Sequence, residues 1–161
     1  MKKSISLVAV ATVLLCSACS FSAGTHKDLS TGLSYSYNGF GVEKVTLVGP
    51  DNTAMSSNEA VLNSQIAIVV EGLTNYTLKD DKAYPGLMLN VTNKEGIAVI
   101  SEADLFDGGN GYPPADAAVL RGTITIGTPM VTGETYHVKM RVWDKIKPES
   151  ELTAEVDFTV K

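Results

Sequence analysis

The sequence predicts an all-β fold, a single antiparallel β-sandwich, and three observations predict it. Apolar and polar residues alternate over stretch after stretch, helical periodicity is nearly absent, and turns containing Gly or Asn separate the stretches. About seven or eight strands follow within residues 33–161. That many short alternating strands in one domain suit two sheets packed face to face, with a small barrel as the competing closure.

The elements run in order from Leu33. A short strand from Leu33 to Tyr37 precedes a second from Val42 to Val48. Ile66, Ile68 and Val70 share one face of the next strand, and Leu87, Leu89 and Val91 one face of another. Asn93-Lys94-Glu95-Gly96 turns the chain into Ile97 to Ile100, a hairpin with Gly where a positive φ is needed. Ser101 to Phe106 and Pro114 to Val119 each suit a turn or two of helix, since Ser101 and Pro114 are good helix starters. Leu120 to Ile126 forms another strand. In the next, Tyr136, Val138, Met140 and Val142 point inward, while His137, Lys139 and Arg141 point outward. The last alternates Leu152, Ala154, Val156, Phe158 and Val160 with Thr153, Glu155, Asp157, Thr159 and Lys161.

The run from Pro129 through Thr132-Gly133-Glu134-Thr135-Tyr136 to Trp143-Asp144 resembles the penultimate-strand region of immunoglobulin-like and fibronectin type III-like sandwiches. The resemblance covers some 30 residues with the final strand included. It implies that the Tyr136 hydroxyl reaches back to a backbone group of the preceding turn while the ring fills the core. No core cysteine pair and no inter-sheet Trp matches the antibody-type pattern. What the resemblance implies is architecture, not function.

The amino end reads as an address. Lys2 and Lys3 precede an apolar run of nine residues, Leu7 to Leu15, which is too short to cross about 30 Å of hydrocarbon as a helix. Leu14-Leu15-Cys16-Ser17-Ala18-Cys19 resembles a bacterial lipobox, although Cys16 holds the place where Leu is usual. The resemblance implies a signal peptide over residues 1–18, with Cys19 lipidated as the first residue of the mature protein. The alternative is an ordinary signal cut after Ser20, with Ala18 and Ser20 as its small residues. No Asp follows Cys19, so the expected location is the bacterial cell envelope, at the outer membrane. Residues 20–32 are small and polar. They are expected to form, with Cys19, a flexible tether of reach on the order of 20 Å before a domain at 33–161.

Charge narrows the partners. The chain has 18 acidic and 13 basic residues, a formal charge of −5, and the leader would remove Lys2 and Lys3 as well. Nucleic acid, which needs a concentrated basic footprint, is not an expected partner. With Cys16 in the leader and Cys19 capped, no cysteine remains for a disulfide, so a hydrophobic core must supply the stability. No cofactor is expected.

Candidate functional residues are few. His137, Lys139 and Arg141 share an outward strand face with Trp143, and Tyr112 and Tyr84 would extend it as a surface for a protein or glycan. The competing reading has Trp143 capping the edge of the core. His137 beside two cations, with no Gly-x-Ser-x-Gly elbow in the chain, is a poor general base, and no catalytic residue is assigned. Asp104, Asp107 and Asn110 offer hard oxygens for calcium, but at a spacing unlike an EF-hand, and a plain glycine-rich loop is the favoured reading. Asn75-Tyr76-Thr77 and Asn90-Val91-Thr92 match glycosylation acceptors, a pattern without meaning in a bacterial host. The functional expectation is a membrane-anchored, non-enzymatic binding or assembly module with an envelope protein or a glycan as partner. The rival is a small carbohydrate-processing or other hydrolytic enzyme, which needs paired carboxylates that the sequence does not assign.

Overall fold

Ten strands and one 3₁₀ turn make up residues 22–161, the part of the chain that the computed structural model describes. Cys16, Cys19 and the leader lie outside the described residues. The strands are β1 (Ala23–Lys27), β2 (Ser34–Asn38), β3 (Lys44–Val48), β4 (Glu59–Ala60), β5 (Gln65–Glu71), β6 (Pro85–Thr92), β7 (Ala98–Glu102), β8 (Leu120–Thr125), β9 (Thr135–Asp144) and β10 (Glu151–Val160). They form a β-sandwich. The larger sheet runs β1-β2-β10-β9-β6-β7 and the smaller β3-β5-β8. Pairing is antiparallel except where β4 joins the end of β10 in parallel, at Thr159 and Val160.

The alternation seen in sequence becomes the inside and outside of the sheets. Strand β9 buries Tyr136, Val138, Met140 and Val142, and β10 buries Leu152, Ala154, Val156, Phe158 and Val160. Leu47, Ile66, Ile68 and Ile124 meet them from the smaller sheet, and Leu87 and Leu89 complete the layer from β6. Each large side chain removed from water in this way contributes about 1.5–3 kcal/mol. The β6–β7 turn has Gly96 at φ 80°, as expected of the hairpin. The Tyr136 hydroxyl accepts a hydrogen bond from Val131 N–H at 2.9 Å, and its ring stacks on Phe158 at 5.7 Å, the arrangement implied by the resemblance to immunoglobulin-like sandwiches.

Three expectations are corrected. Residues 23–27, read from sequence as tether, form strand β1, paired with β2 from Ala23–Asn38 to Lys27–Ser34. This edge strand is held by backbone bonds and exposes most of its side chains, so it shows no apolar alternation. Its turn is fixed by Asp28, whose carboxylate accepts hydrogen bonds from Ser30 N–H, Ser30 Oγ and Thr31 Oγ1. The Ser30 hydroxyl and amide, with Thr31, pull that carboxyl down to about 2. Second, Ser101 and Glu102 belong to β7 rather than to a helix, whereas the short helical turn expected within Pro114 to Val119 is present as a 3₁₀ turn, Asp116–Ala118. Third, ten strands replace seven or eight; β1 and the two-residue β4 are too short or too exposed to leave a periodic signal.

Candidate functional site

The outward face of β9 is a ladder of cross-strand side-chain pairs, two of them ion pairs. The β9–β10 register sets His137 opposite Asp157 and Lys139 opposite Glu155. His137 Nδ1 lies 2.7 Å from Asp157 Oδ1, Lys139 Nζ 3.0 Å from Glu155 Oε1, and Arg141 Nε donates to Glu151 Oε2 at 2.6 Å. Exposed pairs of this kind contribute about 0–1 kcal/mol each, so the ladder sets surface pattern more than stability. The carboxylate that orients His137 comes from the neighbouring strand, where sequence proximity gave no hint of it. The face is one of paired side chains, not the row of free cations that β9 alone suggests.

Trp143 is outward and half-buried, but it does not cap the core. Its indole covers Gly86, its partner across the β6–β9 register, where any Cβ would collide with Cε2 and Cζ2 of the ring. The Arg141 guanidinium sits 5.0 Å from the ring centroid, a cation–π contact shared with its ion pair to Glu151. Tyr112 packs instead on Phe106, edge to face at 5.4 Å, and exchanges two backbone hydrogen bonds of 2.8 Å with Ala83.

The oxygen-rich loop is clamped by its own protein partners. Asp104 Oδ2 pairs with Lys145 Nζ at 2.6 Å, and Oδ1 accepts hydrogen bonds from Leu87 N–H and Phe106 N–H. Burial pushes the Asp104 carboxyl up, but the Lys145 and backbone donors outweigh it and hold it below the usual range. Asp107 Oδ1 accepts from Gly108 N–H, and the Asn110 carbonyl accepts from Lys82 Nζ. Asp104, the strongest oxygen donor of the three, is thus already committed to Lys145 and two backbone amides, and no group of three His, Cys, Asp or Glu is placed to hold a metal among the described residues.

A different site emerges at the end of the sandwich where β5 stops and β6 begins. A cleft of about 370 Å³ lies between residues 73–78 and the 3₁₀ turn, lined by Leu73, Tyr76, Leu78, Pro114, Ala115 and Ala118 with Thr74 and Asn75. Asn75 takes a positive φ of 68° to turn the loop. Tyr76 is fixed by donating its hydroxyl to the Ala117 carbonyl at 3.1 Å and by edge packing on Phe40 at 5.0 Å. Burial, and then the nearby Asp144 charge, raise its hydroxyl pKa, so it stays a neutral donor. Asp144, fully buried, pins the whole end: Oδ2 accepts from Thr77 N–H at 2.7 Å and Oδ1 from Ile146 N–H at 2.9 Å. The cleft is concave and mostly apolar, with a few polar groups and no carboxylate in its lining, which suits an apolar group rather than acid–base chemistry.

Sequence reading missed both of these residues. Tyr76 stood only inside a sequon-like triplet. Asp144 carried a usable signal, because it shares inward parity with Tyr136, Val138, Met140 and Val142, and a carboxylate at an inward position needs buried donors.

No family model matches the chain, and no curated protein matches it. Among solved structures it is similar to the soluble domain of PmoD from Methylocystis sp. ATCC 49242 (Rockwell), with a TM-score of 0.39 and 7% identity over 85% of this chain and 96% of that one. Likeness at that level carries no functional argument.

Proposed function

We propose that the protein is a lipid-anchored lipoprotein of the bacterial envelope, whose sandwich serves as a non-enzymatic binding or assembly module. The observation that supports this reading best is how near Cys19 lies in sequence to the first described pairing. Ser22 already accepts a hydrogen bond from Gly39 N–H at 2.7 Å, and β1 starts at Ala23, so the lipobox-like run abuts the domain. A cut before Cys19 would remove residues 1–18 and none of the described domain. The outer membrane is the proposed location, because Ser20 rather than Asp follows Cys19.

A protein or glycan partner is proposed for the outward sheet face bearing His137, Lys139, Arg141 and Trp143. Fixed charge pairs on a rigid sheet favour specificity over raw affinity. The anchor is tested with Cys19→Ala, which is expected to leave the membrane fraction or accumulate uncleaved; processing and membrane retention at the original level would contradict it. The partner surface is tested by cross-linking in native membranes, where Arg141→Ala with Trp143→Ala is expected to lose a cross-linked partner, and an unchanged pattern would overturn that assignment.

A further inference from the structure

We propose that the end of the sandwich carrying the apolar cleft faces the bilayer, with a zwitterionic phospholipid surface as its partner. This rests on the lipid-anchor reading of Cys19 and adds an orientation to it.

The first described residues, Ser22 and Ala23, lie at this end. Ala23 pairs with Asn38, Asn38 with Glu151, Glu151 with Trp143 and Trp143 with Gly86, one row across the larger sheet. Ser22, bonded to Gly39, lies beside that row, and Phe40 next to Gly39 packs on Tyr76 of the cleft. Cys19 and Ser22 are three residue steps apart, which at full extension is about 11 Å. The headgroup layer itself takes up roughly 5–8 Å on each side of the hydrocarbon. A domain on so short a connection has little freedom to lift or invert. The 13-residue tether expected from sequence would have allowed both.

The surface at this end suits neutral lipid. Leu78, which lines the cleft, and Leu105, Val119 and Ile146 in the loops of the same end are between 40% and 54% exposed. The opposite end also exposes large apolar residues, Ile97 and Val131 among them, so the position of Ser22 and Ala23 and not hydrophobicity sets the orientation. The loops of the cleft end bear Asp80, Asp81, Asp107, Asp116 and Glu149 against Lys79, Lys82 and Lys147, with Lys145 already paired to Asp104. That balance gives no attraction to anionic lipid, and it leaves the outward sheet face and the opposite loops turned toward solvent and partners.

The test uses the processed protein extracted from its membrane, placed in phosphatidylcholine vesicles containing a spin-labelled lipid quencher. Single fluorophores are placed through Leu78→Cys, Ile146→Cys, Ile97→Cys or Val131→Cys. Fluorescence at 78 and 146 is expected to be lost while that at 97 and 131 is retained. Equal or reversed quenching in protein that partitions into detergent as an acylated chain would overturn the orientation and leave the anchor standing. Protein that fails to partition would overturn both. A flexible insertion of about 15 residues between Ser22 and Ala23 is expected to erase the difference; a difference that survives the insertion would overturn the short-connection argument.

Discussion

Trp143 and Gly86 form a matched pair: the indole covers a glycine directly across the register, on the only space that a missing side chain leaves. The same device recurs at the sheet edge, where Tyr37 covers Gly24. A covered glycine keeps the sheet continuous where backbone would otherwise meet water. In β9 it also fixes the ring that carries Arg141.

Gly86→Ala is therefore expected to displace the indole and to cost about 1–3 kcal/mol, as overpacking does. Trp143 is the chain's one tryptophan, so its emission reports the change directly. The variant should emit further to the red and melt at a lower temperature. An unshifted spectrum would show that the ring is not held there.

Tyr136→Phe removes the hydroxyl that ties β9 to the preceding turn at Val131. The expected loss is about 1 kcal/mol by chemical denaturation. Tyr136→Ala, which also empties the space beside Phe158, should cost about 3–5 kcal/mol. Equal losses for the two variants would mean that the hydrogen bond, not the packing, dominates.

The two-sheet interior was readable because alternation in β5, β6, β8, β9 and β10 maps directly onto burial. Gly96 and Tyr136 were readable because a positive φ and a turned-back hydroxyl each demand one residue type. Strand β1 was not, since an exposed edge needs no apolar period and its backbone pairing leaves no mark in composition. The side-chain ladder depends on register between strands, which sets His137 against Asp157 only once β9 and β10 have paired. The cleft joins residues 73–78 to residues 114–118, segments that only the closed sandwich brings together.

Asp144→Ala leaves the Thr77 and Ile146 amides without their acceptor in a buried setting. The expected cost is about 3 kcal/mol, with faster amide exchange at both positions. Asp144→Asn, which retains one acceptor oxygen, should lose less. Unchanged exchange at Thr77 would remove Asp144 from its role in shaping the cleft.

Acid should weaken the fold through Asp28 and Asp104, both held below their ordinary value of 3.8. A carboxyl depressed in the folded state adds stability above its unfolded value and loses it as pH falls toward the folded one. Melting temperature is thus expected to be level in this contribution near neutral pH and to fall below about pH 4. Asp104→Asn should be less stable at neutral pH and show a shallower acid decline. An identical decline in the variant would contradict the assignment.

The most direct measurement for the whole account is the intact mass of the protein extracted from its own membrane. The predicted result is a chain beginning at Cys19 with an acylated, glyceride-modified amino end. A chain beginning after Ser20 without lipid, or one that keeps residues 1–18, would contradict it.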